Sequence, residues 1–104
     1  MLNTTSHHRG ISETRAHLRD LTEQRQALLV PGTANALNAR IIEDLGFEAV
    51  YLTGAGLANT ALGVPDIGLV SVTELSEAAS RISDVCSLPL VVDIDTGFGN
   101  ALNV

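Results

Sequence analysis

Two hydrophobic periods alternate along this chain, one of about four residues and one of two. After a polar start over 1–10, Leu18, Leu21 and finally Ala27 recur among charges of both signs. That spacing predicts an amphipathic helix over 13–26, capped by Ser12 and suited to docking. Ala27-Leu28-Leu29-Val30 is a short apolar run closed by Pro31-Gly32, read as a first strand. Ala34, Leu37, Ile41, Ile42 and Leu45 return to helical spacing over 34–45, ended by Gly46. A second strand covers 48–53 and stops at Gly54-Ala55-Gly56. Small residues over 57–63 lead into a Gly63-Val64-Pro65-Asp66-Ile67-Gly68 loop. A further helix is predicted over 73–86, with Thr73 as its cap and Leu75, Ala78, Ala79, Ile82 and Val85 facing inward. Leu90 to Ile94 forms a third strand.

Strands alternating with helices predict an α/β fold with a parallel sheet and right-handed crossovers. Three strands cannot close a barrel, and a parallel sheet needs cover on both faces. Residues 100–104 read as the start of another helix. The expectation is therefore a piece of a larger α/β protein: a partial (β/α)8 TIM barrel, made of an N-terminal helix and the first three βα units. Residues 1–26 would be a polar segment and helix, and 27–104 the truncated barrel portion. A doubly wound sheet is the structural alternative.

Composition narrows the function classes. The chain has 104 residues and a formal net charge of −6, which argues against nucleic acid or an anionic membrane as partner. All its cations are arginines, so it carries no Schiff-base or P-loop lysine. The single cysteine, Cys86, cannot form an internal disulfide, which suits a reducing, cytoplasmic setting and a buried structural thiol. There is no apolar leader and no stretch long enough to span a bilayer. His7-His8 reads as part of a solvated terminus rather than a metal site.

Candidate chemistry gathers where the three strands end. Val91-Val92-Asp93-Ile94-Asp95-Thr96-Gly97-Phe98-Gly99 carries two carboxylates that period-2 geometry would place on one face, a pattern suited to Mg²⁺. Against this stands a solvated strand end, or a turn capped by Asp95. Tyr51 and Thr53 share a face at the end of the second strand, and the small residues after them leave backbone N–H groups open to an anion. A plain tight turn explains the same glycines, and the dinucleotide fingerprint fails at Thr60-Ala61. Asp66, taken alone, is a turn aspartate.

In combination, Pro31-Gly32, Tyr51-Leu52-Thr53-Gly54-Ala55-Gly56, the loop at 63–68 and Asp93 to Asn100 resemble the isocitrate lyase/phosphoenolpyruvate mutase superfamily, nearest its methylisocitrate lyase-like and dimethylmalate lyase-like branch. The resemblance runs from Leu28 to Val104. It implies a (β/α)8 barrel, Mg²⁺ dependence with Mn²⁺ as a substitute, and homo-oligomers. It also implies retro-aldol cleavage of a small carboxylic acid to a 2-oxo acid such as pyruvate. Carried over by position, Thr53, Gly54 and Ala55 hold the substrate carboxylate, and Tyr51 lines that pocket. Asp93 binds the metal directly, Asp95 directly or through water, and Asp66 acts nearby on the metal or the reacting group. Thr53 and Ala55 stand where relatives often have Ser or Gly. The family's Lys-x-Cys-Gly-His loop does not occur in these residues, so the 104 residues alone are expected to be inactive. Oxaloacetate decarboxylase and phosphonomutase activities are alternatives within the superfamily. A non-catalytic fragment that only associates with a homologue is the alternative outside enzymology.

Overall fold

A computed structural model describes residues 10–24 and 26–104. The polar start up to Arg9, with His7-His8, lies outside the described residues. The element order is α1 (Ile11–Glu23), β1 (Gly32–Thr33), α2 (Ala36–Asp44), β2 (Val50–Leu52), α3 (Gly54–Leu57), a π-helical turn (Ala58–Leu62), α4 (Val72–Val85) and β3 (Leu90–Val92). The three strands form one parallel sheet in the order β1-β2-β3. This is the α/β architecture expected from the sequence.

Helix ends follow local chemistry. Asn35 caps α2 by accepting the Asn38 N–H at 2.8 Å. α2 closes in a Schellman motif: Gly46 sits at φ 91°, its N–H bonds the Glu43 carbonyl, and the Phe47 N–H reaches back to Ile42. The cap of α4 is Ser71, not Thr73. Ser71 and Glu74 make a reciprocal capping box, with bonds of 3.1 and 3.0 Å, and leave Thr73 inside the first turn. Ser12 likewise falls inside α1, whose cap position is Gly10.

The first strand lies further along than expected. Residues 27–30 make no strand; the ladder pairs Gly32 with Tyr51 and Thr33 with Leu52. That register sets 28–30 beside residues that precede β2, where no extended partner runs. The third strand stops at Val92 rather than Ile94, because the chain turns at Asp95 (φ 48°).

Val50, Leu52 and Ile82 are almost wholly buried and centre the core, joined by Ala39, Ile42 and Leu75 from the helices. Each of the valine, leucine and isoleucine side chains contributes about 1.5–3 kcal/mol by leaving water. α2 faces α4 with Ala39 and Ile42, whereas Leu37, Ile41 and Leu45 lie exposed in a row along its other side. The predicted apolar face of 34–45 is thus split, with Ile42 buried beside Ala39, whose carbonyl lies 3.8 Å from the Cys86 sulfur. The face predicted for α4 holds, with Leu75 and Ile82 buried and Ala78, Ala79 and Val85 half-buried. Glu43 ties α2 to the turn before β3, its Oε2 accepting both the N–H and the hydroxyl of Ser87 at 2.7 Å. Cys86 lies buried beside it, and burial together with the Glu43 carboxylate pushes its thiol up to about 11. That fits an unreactive structural thiol. Among the described residues, no helix is long and apolar enough to cross a membrane.

Candidate active site

Alternation along the strands decides which side chains meet. Val50 and Leu52 point to the helix layer and are buried, so Tyr51, between them, faces the other way. β3 pairs in register, Tyr51 with Val91 and Leu52 with Val92. One residue on, the Asp93 N–H still donates to the Leu52 carbonyl at 3.2 Å. Parity therefore puts Asp93 on the face of Tyr51. The Tyr51 hydroxyl donates to Asp93 Oδ2 at 3.1 Å. Partial burial comes first, then the bond to Asp93 and the charges of Asp93, Asp66 and Asp95, and all raise the Tyr51 hydroxyl above the usual phenol value.

The other Asp93 oxygen accepts the Asp95 backbone N–H at 2.9 Å. Asp95 is therefore not a second carboxylate on the same strand face. Its left-handed backbone breaks the period-2 argument, and what it gives Asp93 is its amide. Aspartate tolerates that conformation better than most residues. Its own side chain is exposed, and its charge still reaches Tyr51.

The turn after β2 supplies the second half of the site. Thr53 caps α3, its hydroxyl accepting the Gly56 N–H at 3.1 Å. The amides of Gly54 and Ala55 open the helix ahead of that capped N–H, where the first N–H groups have no intrahelical partner. Gly54 lies beside the carboxylate: a Cβ there would sit at ordinary contact distance, 3.4 Å, from Asp93 Oδ2. Gly56 has a steric reason to be glycine, since a Cβ would come within 2.5 Å of Thr53 Cγ2. In the sequence Gly56 stands only as the last of the three small residues that stop the strand. Its signal is a glycine three residues after a capping threonine, where the side chain and the capped N–H must share space.

Tyr51, Thr53, Gly54 and Asp93 are thus brought together, with Ala55 on the adjoining turn. Asp66 stands apart. It is exposed in the loop after the left-handed Gly63, and only its charge reaches Tyr51. Among the described residues, no three His, Cys, Asp or Glu side chains gather as a metal-holding group. The donor set present is a carboxylate with both oxygens hydrogen-bonded once, leaving about two of its roughly four lone-pair positions open. All-oxygen donors in small number fit a hard cation that keeps much of its water, as Mg²⁺ does.

The phosphoenolpyruvate phosphomutase family matches residues 18–104. The chain belongs to the isocitrate lyase/phosphoenolpyruvate mutase superfamily. It is 43% identical over 91 residues to the 2,3-dimethylmalate lyase of Eubacterium barkeri, covering 88% of this chain and 32% of that enzyme. It is 44% identical over 86 residues to the 2-methylisocitrate lyase of Shewanella oneidensis, covering 83% and 30%. A phosphonopyruvate hydrolase complex with oxalate and Mg²⁺ superposes with a TM-score of 0.80 at 32% identity, covering 86% of this chain and 31% of that one. The chain thus spans about a third of the length of these superfamily relatives.

Proposed function

We propose that this chain contributes the metal-side half of the active site of a Mg²⁺-dependent carbon–carbon lyase. The lyase would cleave a short-chain hydroxy acid to a 2-oxo acid such as pyruvate. The observation that carries the reading is Asp93, held at the C-terminal end of β3 by the Tyr51 hydroxyl and the Asp95 amide, beside the Thr53 turn. Parallel α/β folds bind ligands at this end of their strands. The sheet's second face, with Tyr51 and Val91, is not packed like the helix side, which supports a (β/α)8 barrel as the complete fold. In that barrel residues 27–104 form the first βα units and residues 1–26 the segment before them. The protein is soluble, cytoplasmic and homo-oligomeric in this reading.

Asp93 holds the cation directly, with Asp95 and Asp66 within charge reach, through water where they do not bind it. The cation supplies charge neutralisation at the substrate oxygens. The amides of Gly54 and Ala55 take a substrate carboxylate, with the Thr53 hydroxyl fixing the shape of the turn. In the reaction the hydroxyl proton leaves and the carbinol carbon becomes the carbonyl of the 2-oxo acid. The adjacent C–C bond breaks, and its electron pair passes toward the second carboxylate until a proton arrives. These residues bind and orient; none is placed as the base, and by themselves they are inactive. The family description and the phosphonopyruvate hydrolase match favour P–C chemistry as the second reading. Oxaloacetate decarboxylation would use the same cation and carboxylate contacts.

The test is Mg²⁺-dependent release of pyruvate from 2,3-dimethylmalate, 2-methylisocitrate, oxaloacetate and phosphonopyruvate, by the protein that carries this chain. Turnover of one of the first two, abolished in Asp93→Ala, supports the lyase. Turnover of phosphonopyruvate alone supports the second reading, and turnover of none removes both.

A further inference from the structure

Tyr51 is the one tyrosine in the chain, and there is no tryptophan. Its hydroxyl does not stand free in the site, because it donates to Asp93 Oδ2 at 3.1 Å. Oδ1 is held at the same time by the Asp95 N–H at 2.9 Å. The backbone below is fixed too, through the bond from the Asp93 N–H to the Leu52 carbonyl. On the Oδ2 side the neighbour is Gly54, so close that a Cβ there would be in contact with the carboxylate at 3.4 Å. The carboxylate is pinned at both oxygens, so its plane and its open lone pairs have one direction.

We infer that Tyr51 is a positioning residue: its hydroxyl, with the Asp95 amide, orients Asp93 for a divalent cation. This rests on the reading of Asp93 as the cation ligand and adds to it a role for the phenol. The hydroxyl is then a fixed donor to a ligand and takes no part in moving the substrate's proton. Partners that orient a metal ligand typically change affinity by about 10–100-fold when removed, without contributing a bond to the metal. A phenol at the edge of an exposed site belongs at the lower end of that range. Phenylalanine keeps the ring and removes the donor alone.

The experiment is a calorimetric titration of Mn²⁺ into the protein, its Tyr51→Phe and Asp93→Asn variants and the double variant. Circular dichroism confirms that each is folded. The inference expects Tyr51→Phe to bind about tenfold more weakly. It also expects Asp93→Asn to lose saturable binding, and Tyr51→Phe to change nothing further in the Asp93→Asn background. A second readout needs no variant. In these 104 residues, which carry no tryptophan, the emission is that of Tyr51, and Mg²⁺ should shift it with the midpoint found for Mg²⁺ by calorimetry. Tyr51→Phe binding as tightly as wild type overturns the positioning role and leaves the cation site standing. Asp93→Asn binding as tightly as wild type, or a wild-type protein that binds no cation, removes the site and the inference together.

Discussion

Replacing Gly56 with alanine should destabilise the protein, and removing one methyl group from Thr53 should rescue it. The alanine Cβ would lie 2.5 Å from Thr53 Cγ2. Comfortable carbon contacts are about 3.5–4.0 Å, so at least about 1 Å of overlap must be relieved. Thr53 cannot yield freely. It is β-branched, and its hydroxyl holds the Gly56 N–H at 3.1 Å. Rotating it away forfeits a cap of about 1 kcal/mol. Moving the turn instead costs about 1–3 kcal/mol, as overpacking usually does. Alanine's better helix propensity returns about 1 kcal/mol. The expected net loss is about 0–2 kcal/mol, with the first turn of α3 displaced. Thr53→Ser deletes Cγ2 and keeps the hydroxyl. The nearest remaining Thr53 atoms, Oγ1 at 3.5 Å and Cβ at 3.6 Å, are at ordinary contact distance. In that background Gly56→Ala should be neutral or stabilising by up to about 1 kcal/mol, a coupling of about 2 kcal/mol between neighbours. Urea denaturation of the four proteins, followed by far-UV circular dichroism, measures it. An equal cost of Gly56→Ala in both backgrounds would refute the steric argument.

Three further outcomes are expected. The folded Cys86 thiol titrates at about 11, above its ordinary 9.0, so the folded state holds its proton longer than the unfolded chain. Its contribution is present below about 9 and lost as pH rises toward 11, and Cys86→Ala should flatten that part of an alkaline stability curve. Glu43→Ala removes two short bonds to a charged acceptor and should cost about 2–3 kcal/mol in denaturant unfolding; an unchanged midpoint would mean that the tie to Ser87 contributes nothing. Spectrophotometric titration of the sole tyrosine should find it ionising above the usual phenol range, and Asp93→Asn should bring it back down; no movement would mean the Tyr51–Asp93 bond is not made.

The sequence carried α1, α2, α4 and the three strands in order, the parallel sheet and the inward face of α4, because each rests on a repeated apolar period; the short α3 and the π-helical turn lie in a small-residue stretch that has none. Capping was misplaced at Ser12 and Thr73. Several residues near a helix start can cap, and only Ser71 is matched by Glu74 in a reciprocal pair. The first strand was set too early because Ala27 to Val30 is the more apolar run, whereas strand assignment depends on a partner's register. The approach of Tyr51 to Asp93 was available in principle from parity across paired strands, but only once that register was known. The expectation that Asp93 and Asp95 share a strand face failed on one torsion, the left-handed φ of Asp95, which alternation cannot foresee. Gly54 reads as a residue whose amide meets a substrate carboxylate, and Gly56 as a turn glycine. The room that Gly56 leaves for Thr53 is set by a contact that no short window of sequence contains.

Every role proposed for this site depends on Asp93 being a divalent-cation ligand. The most direct test of that is Mn²⁺ paramagnetic resonance of the protein, counting bound ions per chain before and after Asp93→Asn. One saturable ion per chain, displaced by Mg²⁺ and lost in Asp93→Asn, is the predicted result. Equal binding by Asp93→Asn, or none by the wild type, would contradict it.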